Sequence, residues 1–213
     1  MTERVHTVRF VRRSLPHWLV ADATFFVTFR IHGSLPPTVM KQLSTELKRL
    51  REVLPEGDPR WRDVDRRRFR RIESILDVSK DGPSWLGVPE VGGLVFRNLE
   101  WLEGDRGWRI FAATIMPTHV HLLIRNTLGR SGALLEDLAQ FKGFSGRQAN
   151  AVLRRTGPFW AREDFDHWCR SPDKVESAAR YIRNNPVKAG LVTRWQDWPW
   201  TRVDNAAFRA PAL

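Results

Sequence analysis

Thr114-Ile115-Met116-Pro117-Thr118-His119-Val120-His121-Leu122-Leu123-Ile124 is the stretch on which the fold depends. Apolar and β-branched residues predict a strand on each side of Pro117-Thr118, either as two strands or as one broken strand. Side chains alternate along a strand, so His119 and His121 project from the same face. Two such imidazoles can hold a metal ion, although a pair of this kind taken alone is more often a packing or surface feature.

Residue patterns on both sides of this stretch predict further strands and helices. A basic segment over residues 5–17 is expected to form an arm that leads into the domain. The patterns predict strands over residues 24–31, 108–116, 119–125 and 159–169, and helices over residues 37–54, 61–76, 84–102, 132–153 and 171–185, the last of them stopped by Pro186.

Composition limits the class of protein. The chain has 213 residues, of which 42% are hydrophobic, enough for a substantial core. Its formal net charge of +11 favours polyanionic partners such as nucleic acid. No apolar run is long enough to span a bilayer and no signal-type segment is present, so we expect a cytoplasmic protein without membrane contact. The single cysteine, Cys169, excludes an intrachain disulfide and a cysteine-cluster zinc site.

Basic residues are concentrated on two of the predicted helices. The helix over residues 61–76 carries arginines opposite an apolar stripe, and the helix over residues 132–153 carries further basic residues on its outer face. Such a face is either solvated or in contact with phosphates. If the second interpretation holds, DNA-binding residues include Arg66, Arg67, Arg70, Lys142 and Arg147.

The only tyrosine of the chain, Tyr181, lies on the predicted helix over residues 171–185. Asn185 follows four residues later, so both side chains occupy one helix face. If that face lies over His119 and His121, the four groups meet. Two imidazoles and one amide oxygen leave positions free on Mg²⁺ or Mn²⁺ for a phosphate, and the phenol can attack that phosphate as a nucleophile.

Two segments together resemble a known family. Met116-Pro117-Thr118-His119-Val120-His121-Leu122-Leu123 and Tyr181-Ile182-Arg183-Asn184-Asn185-Pro186-Val187-Lys188-Ala189-Gly190-Leu191-Val192 are similar to motifs of the single-tyrosine HUH transposases. The greater similarity is to the REP-associated tyrosine transposases. Further similar stretches are residues 26–30, 142–145, 165–167 with Arg170, and 198–200, so the resemblance covers about residues 10–201.

The resemblance implies an α+β fold of the ferredoxin-like (RRM-like) type, in which helices flank an antiparallel sheet. It implies one domain over residues 1–213, with a core over about 20–192, a basic helical insertion over about 55–83 and a C-terminal tail over about 195–213. It also assigns Tyr181 as the nucleophile and His119, His121 and Asn185 as the ligands of Mg²⁺ or Mn²⁺. Arg170 and Arg183, in the similar stretches, are expected to contact DNA.

The function that the resemblance implies is cleavage and rejoining of single-stranded DNA at hairpins formed by repetitive extragenic palindromes, through a 5′-phosphotyrosine intermediate. An alternative is a nucleic-acid-binding protein without catalysis, supported by the basic charge and by tryptophans available for base stacking. A third possibility is a metallohydrolase that activates water at the two histidines. The sequence is compatible with either a monomer or a homodimer.

Overall fold

The computed structural model describes residues 7–12, 16–55, 58–78 and 82–205. Its main sheet has five antiparallel strands in the order β6-β3-β5-β4-β7, and a separate hairpin pairs β1 with β2. The strands are β1 (Thr7–Arg12), β2 (Pro16–Val20), β3 (Thr24–Ile31), β4 (Trp108–Ile115), β5 (His119–Asn126), β6 (Trp160–Cys169) and β7 (Thr201–Val203).

Five α-helices accompany the sheet: α1 (Pro37–Val53), α2 (Trp61–Val78), α3 (Pro89–Gly104), α4 (Leu134–Val152) and α5 (Pro172–Lys188). Helices α1 to α3 connect β3 to β4, and α4 connects β5 to β6. The last strand of this unit, β6, lies beside the first, β3, and β5 lies between β3 and β4. This order confirms the predicted ferredoxin-like α+β fold with an antiparallel sheet.

The two faces of the sheet bury different residues. One face packs against α3 and α4 in the main core, to which β5 contributes Val120, Leu122 and Ile124. The opposite face carries Phe26 of β3 and Leu123 of β5 and packs against α5. Because side chains alternate, His119 and His121 lie on the same face as Leu123, toward α5.

Helices α1 and α2 pack against each other through two small apolar clusters that are separate from the two sheet cores. Leu47, Leu54, Trp61 and Val64 form one cluster. Leu35, Leu43 and Leu76 form the other, with Val39, Ile72 and Ile75 against them. The helical pair therefore has apolar contacts of its own.

Several element boundaries differ from the sequence predictions. Helix α5 does not stop before Pro186 but continues to Lys188. Pro186 is buried near the end of α5, where its missing N–H removes only the one main-chain bond that would reach Ile182, and the helical pattern continues: the Ala189 N–H donates to the Asn185 carbonyl at 2.9 Å. Helix α3 begins at Pro89, after a 3₁₀ turn over Trp85–Gly87, and not at residue 84.

Both ends of the chain contribute strands that the sequence patterns did not predict. The basic segment near the N-terminus forms β1 and β2, and the C-terminal segment adds β7 beside β4. Residues 206–213 of the predicted tail lie outside the described residues, as do parts of the predicted insertion, residues 56–57 and 79–81.

Among the described residues, no helix combines the length and apolar character that crossing a membrane requires.

Candidate metal and nucleophile site

His119 and His121 form a buried pair on β5. Their side chains are 1% and 0% exposed, and their Nε2 atoms lie 3.0 Å apart. Thr118 Oγ1 lies 2.9 Å from His119 Nδ1, and Thr28 Oγ1 lies 2.7 Å from His121 Nδ1. Thr28 pairs with His121 in the β3–β5 register, so the sheet itself places this hydroxyl. Each outer nitrogen therefore has a hydroxyl partner, and the two Nε2 atoms remain directed toward each other.

Glu73 of α2 completes a group of three metal-ligating residues. This residue is 4% exposed, and its Oε2 lies 3.1 Å from His121 Nε2. One ligand atom each from Glu73, His119 and His121 lie within 4.8 Å of one another. Sequence reasoning missed Glu73, because it treated α2 as an arginine-rich insertion. The available signal was a carboxylate beside Ile72 in the apolar stripe of an otherwise basic helix.

Tyr181 of α5 lies against this group. Its hydroxyl donates a hydrogen bond to Glu73 Oε2, and its ring centroid is 5.4 Å from that of His121. Asn185, four residues along the helix, is 1% exposed, and neither its Oδ1 nor its Nδ2 has a hydrogen-bond partner of normal geometry among the described residues. The structure therefore brings Tyr181, His119 and His121 together within one chain, and Asn185 lies buried one turn after Tyr181 on α5.

The ligand set fits a divalent cation. Ligand atoms about 2.1 Å from an octahedral ion and at right angles to each other lie about 3.0 Å apart. The separations from His121 Nε2 to His119 Nε2 and to Glu73 Oε2, 3.0 and 3.1 Å, have this value. Two imidazoles and one carboxylate suit ions of intermediate hardness such as Mn²⁺. The amide of Asn185, buried without a normal hydrogen bond, is available as a further ligand.

Burial and charge set the protonation of the group. Burial and the charge of His121 lower the pKa of His119 to about 3. Burial alone would raise the pKa of Glu73, but the attraction of His121 and its hydrogen bond outweigh burial and lower this pKa to about 2. Both groups are thus in their metal-binding forms at neutral pH.

The phenol of Tyr181 is strongly protonated in this arrangement. Burial, the negative charge of Glu73 and the hydrogen bond to Glu73 together raise its pKa well above the ordinary value, and the nearby Asn185 opposes the rise only in part. A phenolate therefore requires additional positive charge at the site, which a divalent cation supplies.

The lowered pKa of His119 predicts loss of stability in acid. The unfolded chain binds a proton at this residue below about pH 6.5, whereas the folded chain does so only near pH 3. The free energy of unfolding is therefore expected to fall as pH decreases across this window, by at most about 1.4 kcal/mol per pH unit from this residue. Glu73 adds a similar loss below about pH 4.5.

Urea unfolding in EDTA at intervals from about pH 7 to about pH 4 measures this slope. The variant His119→Asn removes the titrating imidazole and is expected to have a shallower slope between about pH 6.5 and pH 4.5. Equal slopes for the two proteins would contradict the assignment.

The predicted DNA-binding residues lie in different surroundings. Arg66, Arg67 and Arg70 are exposed on α2, and Arg147 is exposed on α4. Arg170 is exposed with its guanidinium 4.9 Å from the Trp168 ring centroid, and the guanidinium of Arg183 is 6.0 Å from the Trp195 ring centroid. The Lys142 side chain is only 11% exposed; it forms an ion pair with Asp164 and donates to the Ala161 carbonyl at 2.9 Å. Lys142 therefore joins α4 to β6, and its contact with DNA stays a prediction.

Comparison with known proteins supports the fold. No protein-family model matches the chain, and no curated protein matches it. Among solved structures, it is similar to a REP-associated tyrosine transposase bound to a REP hairpin, with a TM-score of 0.53 and 16% sequence identity. The match covers 90% of this chain and 80% of that protein. The chain thus has the fold of this transposase over most of its length.

Proposed function

We propose that this protein cuts and rejoins single-stranded DNA at hairpins through a covalent bond between Tyr181 and a 5′ phosphate, with the help of Mg²⁺ or Mn²⁺. One observation carries the proposal: the hydroxyl of the only tyrosine bonds to a carboxylate that contacts a buried imidazole pair. A tyrosine beside a potential metal site fits nucleophilic chemistry on phosphate. The fold similarity to a transposase supports the same function.

The metal would be held by His119, His121 and Glu73, with Asn185 as a further ligand. When bound, a divalent cation supplies positive charge that polarises a phosphate and favours the phenolate. Thr28 and Thr118 orient the two imidazoles through their outer nitrogens. These roles agree with the protonation states at neutral pH described above.

The proposed covalent step exchanges one phosphate ester bond for another. The Tyr181 oxygen forms a bond to phosphorus and loses its proton, while the bond from phosphorus to the 3′ oxygen of the other strand segment breaks. That oxygen takes up a proton and becomes a free 3′ hydroxyl. Because a phosphodiester is exchanged for a phosphotyrosine ester, a 3′ hydroxyl can reverse the reaction and rejoin DNA without ATP.

Two observations support DNA as the partner: the positive charge of this chain and its similarity to the solved structure of a transposase. The net charge of +11 and the exposed arginines of α2 favour a polyanion. The similar transposase binds a REP hairpin, so a hairpin-forming single strand is the proposed substrate. Because one chain supplies the tyrosine and all the proposed ligands, we propose that a single chain contains a complete site.

The test uses labelled single-stranded oligonucleotides that carry a palindromic hairpin flanked by randomised sequence. With Mn²⁺ we expect a labelled protein adduct that survives denaturing electrophoresis, and with EDTA we expect none. Binding of the hairpins without any adduct in Mn²⁺ would contradict the proposal and favour the alternative, a nucleic-acid-binding protein without catalysis. That protein would still bind DNA with a steep dependence on salt.

A further inference from the structure

We infer that Glu73 is a positioning residue for Tyr181, a role that neither the sequence motifs nor the ligand set assigns to it. The inference rests on the proposed function, since it concerns the nucleophile of that reaction. It extends the catalytic unit to α2, a helix whose sequence indicates a basic insertion. The role differs from metal binding because it depends on a hydrogen bond that Glu73 accepts.

The geometry places one oxygen of Glu73 between the nucleophile and the imidazoles. Oε2 accepts the hydrogen bond of the Tyr181 hydroxyl and lies 3.1 Å from His121 Nε2. The other oxygen, Oε1, is buried without a hydrogen-bond partner among the described residues. The hydroxyl of Tyr181 is therefore held beside His121 by a single acceptor, and Oε1 remains free for another partner.

The position of Glu73 is fixed by contacts one turn away in each direction along α2. Phe69 stacks on Phe165 of β6 at a centroid distance of 4.2 Å and meets Phe26 of β3 at 5.5 Å. Asp77 forms an ion pair with Lys188, whose Nζ lies 2.6 Å from Asp77 Oδ2. Lys188 lies on α5, seven residues after Tyr181. Residues 69, 73 and 77 share one helix face, so this face docks α2 on the sheet and on α5.

Burying an ionised carboxylate lowers the stability of the fold, so its presence at a buried position indicates a function. Removing a charged group from water costs several kcal/mol, and an apolar side chain could fill the same space. Glu73 accepts a hydrogen bond from Tyr181, the only tyrosine of the chain. A buried ionised group next to a nucleophile is typical of a functional site.

Holding the hydroxyl matters because a phenol ring rotates about two side-chain bonds. A nucleophile displaced by about 1 Å can react roughly 10²-fold more slowly, since the attacking oxygen must align with the bond that breaks. The hydrogen bond to Glu73 limits these rotations before DNA binds. It thus prepares the position of the oxygen without forming or breaking a bond.

Two substitutions separate positioning from charge. Glu73→Gln keeps a carbonyl oxygen that can accept the tyrosine hydroxyl, whereas Glu73→Met has a similar length and no such acceptor. Ser74→Ala, at an exposed neighbour on α2, is the control. We expect adduct formation in saturating Mn²⁺ to slow by about 100-fold or more for the Met variant and by less than about 10-fold for the Gln variant. Mn²⁺ affinity is measured separately for each protein by calorimetry.

A second measurement does not require activity. Because the chain has one tyrosine, 3-fluorotyrosine gives a single ¹⁹F resonance that reports on residue 181. We expect the wild-type and Gln proteins to share a narrow signal, and the Met protein to have a shifted or broadened one. Absence of an adduct with wild-type protein would refute the proposed function, whereas the fluorine spectra would still test the role of Glu73.

Three results would overturn the inference. The first is adduct formation by Glu73→Met at the wild-type rate. The second is equal slowing of the Gln and Met variants in saturating Mn²⁺, which would show that the charge of Glu73 matters and its acceptor does not. The third is an identical fluorine spectrum for the wild-type and Met proteins, which would show that Glu73 does not hold the ring.

Discussion

Replacing Tyr181 with phenylalanine is expected to abolish the covalent DNA adduct, with a loss of at least about 10³-fold in the rate of strand cleavage. Phenylalanine keeps the ring that packs 5.9 Å from Phe26 and 5.4 Å from His121, measured between centroids. It removes only the hydroxyl and the hydrogen bond to Glu73. Since no other tyrosine exists in the chain, no second phenol can substitute.

The same experiment must show that the variant is folded and still binds DNA. The Kd for the hairpin oligonucleotide is expected to stay within about 3-fold of the wild-type value, because the substitution leaves every basic residue that could contact phosphates unchanged. An adduct formed by the phenylalanine variant would refute the role of Tyr181. Cleavage without an adduct, at the wild-type rate, would instead identify a hydrolase that uses water, the third hypothesis from the sequence.

Replacing His121 with asparagine is expected to lower Mn²⁺ affinity by about 10²-fold or more and adduct formation by about 10³-fold. The imidazole Nδ1 contacts Thr28, and Nε2 lies near His119 and Glu73. Asparagine places an amide near the Nδ1 position but has no atom at Nε2. The substitution thus removes the proposed central ligand while a polar partner for Thr28 remains.

Calorimetric titration with Mn²⁺ measures the first effect, and the labelled hairpin assay measures the second. His121 is fully buried, so the smaller side chain also lowers stability by roughly 1–3 kcal/mol, and the assays are run below the unfolding transition of the variant. Thr28→Val is the matched control, because it removes a partner of the imidazole and keeps both Nε2 atoms; an intermediate loss is expected. Unchanged Mn²⁺ affinity in His121→Asn would contradict the ligand assignment.

Local patterns were sufficient for four of the five strands of the main sheet, β3 to β6, and for the spacing within two pairs of site residues. Alternation along β5 places His119 and His121 on one face, and helical spacing places Asn185 one turn after Tyr181. Both relations join residues two to four positions apart. The four strands were predicted because each is a run rich in apolar and β-branched residues bounded by turns or breaks.

Distant contacts account for what the sequence patterns missed. Glu73 meets Tyr181 across 108 positions, and only the docking of α2 on α5 creates that contact. Strand β7 has three residues and pairs with Ala112–Thr114 of β4, so its own sequence carries too short a pattern to identify it. The end of α5 was misplaced because Pro186 is a strong helix breaker in general, whereas here the chain keeps helical geometry for two residues beyond it.

The burial of the imidazoles has a consequence for how DNA enters. With His119 and His121 only 1% and 0% exposed, a phosphate group cannot reach them in this arrangement. Helices α1 and α2 carry their own apolar clusters, but α2 also packs on the sheet through Phe69 and pairs with α5 through Asp77, so moving α2 would break those contacts. On the proposed function, the scissile phosphate therefore reaches these groups only after the elements that cover them have moved.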